Sequence, residues 1–204
     1  MYVETLLKGI AAGLLIAAPV GPVGVLCVHR TLVCGRVHGL VSGLGAAAAD
    51  MLFAGVVAFG LGFVSDFLFV HQGELRLAGG GLLIVLGAKS LLSRPPAPGG
   101  EEMRTSLIGD CVSAFALTAT NPITLLSFLG VFAALGISNQ DTLSQGCVLV
   151  GGVFAGSAAW WLLLSGGVGL MRRAMEALYL RWAHVIAGAL LLAFGVFVLV
   201  TVAA

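Results

Sequence analysis

From Cys111 to Gln140 the chain runs without a single charged residue, and Asn121-Pro122 stands inside that run. The first apolar stretch is interrupted in the same way, by Ala18-Pro19-Val20-Gly21-Pro22-Val23. Each proline removes a backbone hydrogen bond, and lipid offers no replacement partner. A break of this kind survives within a bilayer only where protein or a polar cavity surrounds it. Pro22 and Pro122 are 100 residues apart, each about midway through the first span of one half of the chain. Interrupted helices in corresponding positions of two halves are what an inverted-repeat transporter requires.

Composition supports a membrane setting. The 204 residues are 59% hydrophobic and only 9% charged, against roughly 25% charged in an average globular chain. Mean hydropathy is +1.10, and helical spans are the simplest structure with that content. A soluble fold of this length would need a polar surface that the sequence lacks. The net charge of +1 is spread over scattered basic residues at span ends, so no nucleic-acid partner is expected. Glycine accounts for 30 residues, as expected where helices approach closely. The four cysteines, Cys27, Cys34, Cys111 and Cys147, show no metal-type spacing and read as small apolar filler. Glu4 spoils the basic segment of a signal peptide, so the N-terminal apolar run reads as a retained first span.

Charge-poor stretches place six spans at 6–28, 39–64, 74–92, 107–135, 146–170 and 183–203, each near the ~20 residues that cross the hydrocarbon core. Arg76 and Lys89 leave the third span a short uncharged centre. Eight basic residues fall on one side: Arg30 and Arg36 after span one; Lys89, Arg94 and Arg104 around the central linker; Arg172, Arg173 and Arg181 after span five. Only Lys8 and Arg76 fall on the other. The positive-inside rule then predicts a multi-pass protein of the cytoplasmic (inner) cell membrane. Loops near 29–38, 93–106 and 171–182 are expected inside and both termini outside; a first span that re-enters would move the N-terminus inside. The Pro- and Gly-rich segment 93–106 divides the chain into 1–92 and 107–204, two three-span halves. Three is odd, so the halves enter the membrane from opposite sides and a duplicated unit is inverted. The expected fold class is all-α, six transmembrane helices in two inverted repeats with helices one and four broken.

The run Ala18-Pro19-Val20-Gly21-Pro22-Val23-Gly24, followed by Arg30-Thr31-Leu32 and Gly35-Arg36-Val37-His38-Gly39-Leu40, resembles the N-terminal signature of the LysE/RhtB amino-acid exporters. Ser42-Gly43-Leu44-Gly45-Ala46, Asp50 and Phe59-Gly60-Leu61 continue the pattern, and Thr120-Asn121-Pro122 with Phe128-Leu129 resembles its Asn-Pro motif. The resemblance covers nearly the whole chain. It implies export of amino acids or close derivatives, usually driven by the proton gradient, with an amino-acid substrate and no cofactor or enzymatic step. One departure is Val23, where the family often carries asparagine, so no amide contact is carried over to that position.

Asp50 is the one acidic residue this reading places deep within a span. A carboxylate there costs at least ~2.5 kcal/mol and should face the bundle interior with a partner. It is either a proton-coupling or substrate-amine site or half of an ion pair, with Arg76 of span three the expected mate. Pro19, Gly21 and Pro22 read as a helix break, in which Gly21 would supply unusual backbone angles and freed carbonyls would face an ammonium group or water; a packing kink is the plainer alternative. Asn121, beside Pro122, has both donor and acceptor groups for a substrate carboxylate or for the broken backbone. Thr120, Thr124 and Ser127 are spaced to share one helical face if the helix resumes, while hydroxyls in membrane helices, Thr118 included, often satisfy their own backbone. Arg30, Arg36 and His38 read as headgroup-level charge or as a gate. His71 and His184 read as interfacial, and Trp160 and Trp161, inside span five, as core or pathway lining.

Two other activities fit a six-span chain. Divalent-cation efflux would need oxygen- and imidazole-rich sites, yet the spans carry one carboxylate and no central histidine in this reading. A membrane thiol carrier would need one cysteine beside each break, but Cys27 follows Pro22 by five residues whereas Cys111 precedes Pro122 by eleven. Glycine-rich surfaces would permit a homodimer.

Overall fold

In the computed structural model, the described residues are 2–19, 21–60, 67, 70–92, 106–137, 142–174 and 177–203. They form helices and no strand: α1 (Tyr2–Ala17), α2 (Pro22–Cys34), α3 (Arg36–Ala58), α4 (Gln72–Leu92), α5 (Leu107–Ala119), α6 (Pro122–Ala134), α7 (Leu143–Ala174) and α8 (Ala177–Ala203). Four helices, α3, α4, α7 and α8, are long and apolar enough to cross a membrane. Two bent pairs, α1 with α2 at 81° and α5 with α6 at 69°, are apolar enough together to make either a broken span or a re-entrant loop each. The chain is therefore an all-α membrane protein of up to six spans, with the first and fourth broken at the expected prolines. The first span is longer than expected from charge alone, because Arg30 lies inside α2 and not beyond it. Residues 93–105 of the central linker and the end of the second expected span, 61–64, lie outside the described residues.

Local chemistry explains both breaks. Pro22 and Pro122 each occupy the first turn of the helix they open, where no intrahelical N–H partner is needed. Gly21 precedes Pro22 in extended backbone, φ −120° and ψ −168°. That conformation is open to any residue, which corrects the expectation that Gly21 supplies a special angle. An added Cβ at Gly21 would meet nothing within 4 Å, so the missing side chain matters as space. Gly35, between α2 and α3, does have a backbone that demands glycine, with φ 104°. Its N–H donates to the Arg30 carbonyl at 3.1 Å and closes the turn.

Packing joins the halves crosswise. α1 lies against α7, α5 against α3, α3 against α7, and α4 against α8. Glycine makes the first contact close: a Cβ on Gly152 would fall 2.7 Å from the Leu6 carbonyl oxygen, and one on Gly13 would fall 2.9 Å from the Ser157 nitrogen. Without a hydrophobic driving force in lipid, such close backbone approach is what holds helices together. An apolar cluster of Ala12, Phe53, Leu125, Phe128, Leu149 and Val153 unites α1, α3, α6 and α7.

Candidate functional site

Asp50 sits in the middle of α3 and is 4% exposed. Ser157 of α7 donates its hydroxyl to Asp50 Oδ2 at 2.7 Å. The carboxylate borders a chamber of about 250 Å³ between the two bent pairs. Pro19, Gly21 and Pro22 line it from the first break, and Asn121, Thr124 and Ser127 from the second. Ala46 and Trp161 complete the wall beside Asp50. Residues far apart in sequence thus converge because each proline turns its helix at the same place in the bundle.

Several expected site residues behave differently. Arg76 and Thr120 line a separate cavity of about 400 Å³, with Gly79 and Leu83 of α4 and with Phe194 and Phe197 of α8. No ion pair joins Asp50 to Arg76 among the described residues. The cause is helix pairing: α3 packs on α5 and α7, whereas α4 carries Arg76 to α8. Thr120 ends α5 before the bend, so it does not share a helical face with Thr124 and Ser127. Pro122 opens α6, and its side chain lies outside the described residues. Pro22 and Asn121 border both cavities.

Most hydroxyls at the second break serve their own helix. Thr118 donates to Ala114 O at 2.9 Å, Thr120 to Ala116 O at 2.7 Å and Ser127 to Ile123 O at 2.9 Å. Asn121 caps α6 by accepting from the Ile123 N–H at 3.1 Å. Its amide N–H groups keep their donor capacity.

A second polar centre escaped the sequence reading. Asp110 of α5 is 5% exposed, so Asp50 is not the only acidic residue buried among the spans. Arg30 Nε contacts Asp110 Oδ1 at 3.1 Å, and His38 Nδ1 contacts Asp110 Oδ2 at 2.6 Å. Arg30 Nη1 donates to Ser42 Oγ and to the Asp110 carbonyl, both at 2.9 Å, and Nη2 donates to Ser113 Oγ at 2.8 Å. Arg30 and His38 are therefore buried members of a hydrogen-bonded network rather than solvent-facing charges. Asp110 already lay within the fourth expected span, where a carboxylate must find a partner; that was the available signal.

Along α3 three regions follow in order. His38 and Ser42 join the Arg30 network, Ala46 and Asp50 border the chamber, and Phe53 and Val56 enter the apolar cluster. The chamber thus has a charged, hydrogen-bonded neighbour on one side and aromatic packing on the other. Phe53 and Phe128 meet with ring centroids 6.4 Å apart, and Phe128 and Phe132 at 5.7 Å.

Trp161 is 4% exposed and packs with Ala17, Cys27, Ala46 and Ala47, so it is both core and chamber wall. Among the described residues, none of the four cysteines is in a disulfide, and no cluster of three or more His, Cys, Asp or Glu is placed to hold a metal ion.

The family described as LysE type translocator matches residues 14–201 of the chain. A curated relative from Bacillus subtilis (strain 168), described as "Putative amino acid efflux protein YcgF", is 26% identical over 197 residues, covering 93% of this chain and 92% of the relative. No solved structure matches the chain.

Proposed function

The chain belongs to the LysE type translocator family, and we propose that it exports amino acids or close derivatives across the cytoplasmic membrane, driven by proton exchange at Asp50. The observation carrying this reading is the buried Asp50 carboxylate facing a chamber bordered by both helix breaks. A charge at that depth is expensive unless it is used or paired, and its side-chain partner among the described residues is the neutral hydroxyl of Ser157. An amino-acid ammonium group and a proton are alternative occupants of the same carboxylate, which is the logic of exchange. The Asn121 amide and the backbone of the breaks are suited to the carboxylate end. The description of the Bacillus subtilis relative agrees with this substrate class.

The halves 1–92 and 107–204 act as inverted repeats in this reading. Support comes from the crosswise packing: α1 on α7 repeats α5 on α3, and α3 with α7 and α4 with α8 pair like with like. Rocking of one half against the other would open the chamber to each side in turn.

The decisive experiment is overexpression with external amino acids quantified, followed by proteoliposome transport under an imposed pH gradient. Gradient-dependent export that disappears in Asp50→Asn is the expected result. Export that ignores the gradient and survives Asp50→Asn would overturn the coupling; no amino acid exported from overexpressing cells would overturn the substrate class.

A further inference from the structure

Beside the Arg30 network lies a cavity of about 250 Å³, equal in volume to the Asp50 chamber and bounded by α2, α4 and α5. Arg30 and Asp110 form one wall, while His29 and Ser90, joined at 2.8 Å, form another. Lys89 stands at the exposed margin and makes no ion pair among the described residues. Among the described residues, two permanent cations therefore border the cavity against one carboxylate. Both Asp110 oxygens are already engaged, one by Arg30 and one by His38. A concave wall of surplus positive charge draws in an anionic group, and the one Nη2 N–H of Arg30 that its network leaves over supplies a charge-assisted donor to a carboxylate.

Position adds the second argument. α2 borders the Asp50 chamber at Pro22 and Gly24 and this cavity at Leu26 and Arg30. α5 does the same, with Thr118 at the chamber and Ser113 at the cavity. From Pro22 to Arg30 the helix rises only ~12 Å. The two cavities are successive stations along the same pair of helices, and the second lies beside the segments that carry Arg36 and Lys89.

We propose that this cavity is a separate subsite that takes the carboxylate of the exported amino acid on Arg30 and Lys89, on the face of the basic loops, before the molecule reaches the Asp50 chamber. The assignment to a transported amino acid rests on the export reading, whereas carboxylate binding itself can be measured without transport.

The test uses purified full-length protein in detergent and two probes of equal length, propionate and n-propylamine. Ser106 is exposed and lines the cavity, so alkylation of Ser106→Cys by a charged maleimide, read at that position by mass spectrometry, reports occupancy. Because Ser106 also caps α5, Leu86→Cys, on the α4 wall, serves as the second reporter. Saturating propionate should slow alkylation about threefold or more, in proportion to occupancy, with propylamine without effect. Lys89→Gln should weaken that protection, and Arg30→Lys, which keeps the charge but loses the remaining Nη2 donor, should weaken it as well. Equal protection by both probes, none by propionate at either reporter, or protection unchanged in both variants would overturn the subsite. Propionate protection in a protein that exports no amino acid would leave the subsite standing and remove the export reading. Export without any protection would do the reverse.

Discussion

Ser157 of α7 donates a 2.7 Å hydrogen bond to Asp50 of α3, across 107 residues of sequence. The bond ties the middle helix of one half to the middle helix of the other beside the chamber. Ser157→Ala leaves the buried carboxylate short of a donor, at a cost of about 1–3 kcal/mol. A lower melting temperature of the purified protein, with export retained, is the expected outcome. Loss of export at unchanged stability would instead make Ser157 part of the transport chemistry.

Asp50→Asn keeps the shape of the side chain and its capacity to accept from Ser157, but removes the exchangeable charge. The protein should reach the membrane in normal amounts while gradient-driven export falls by at least about tenfold, the factor that 1.36 kcal/mol of lost interaction represents. Comparing surface abundance with transport in the same cells separates a folding defect from lost coupling.

Arg30→Ala takes the guanidinium partner from Asp110, which is 5% exposed and keeps its His38 contact. Removing one partner of a buried pair costs about 3–5 kcal/mol, so poor accumulation and a sharply reduced melting temperature are expected. The double variant Arg30→Met with Asp110→Leu should recover part of that loss, since the buried guanidinium and carboxylate are then removed together, with His38 giving up its Asp110 contact. A double variant no better than the single one would show that the hydrogen bonds to Ser42 and Ser113 carry the stability.

Gly21→Ala should leave stability within about 0.5 kcal/mol of the parent, because the backbone is extended and a Cβ there meets nothing within 4 Å. The added methyl does narrow the chamber, so bulky substrates should saturate at higher concentration than small ones. By contrast, Gly35→Ala is forced to φ 104°, and a cost of about 1–3 kcal/mol is expected. Side-by-side thermal melts check the contrast; equal stability of the two variants would contradict it.

Much of the architecture could be read from the residues, and the reason is local. Pro22 and Pro122 announced the breaks because a proline ring acts on its own helix, whatever packs nearby. The apolar stretches marked the spans because a bilayer screens each segment for hydrocarbon compatibility. The chamber was legible to the extent that both breaks and Asp50 were expected at a shared centre. Thr120 leaves the face of Thr124 and Ser127 for a local reason too: the helix resumes only at Pro122, so the spacing argument joined residues on either side of the bend. Arg30 looked like a loop cation because a charge at the end of an apolar run usually marks the headgroups, whereas α2 continues to Cys34.

Sequence alone determined the membrane class, the breaks and the presence of a costly carboxylate in span two, since each follows from one segment meeting lipid. Only the tertiary structure decided which polar groups meet. Arg76 was a reasonable mate for Asp50 by span order, yet α4 turns to α8 and leaves Asp50 to Ser157. Arg30 found Asp110 from the other half of the chain. Such pairings depend on how glycine-lined helices cross, and a helix carries no record of its neighbour in its own periodicity.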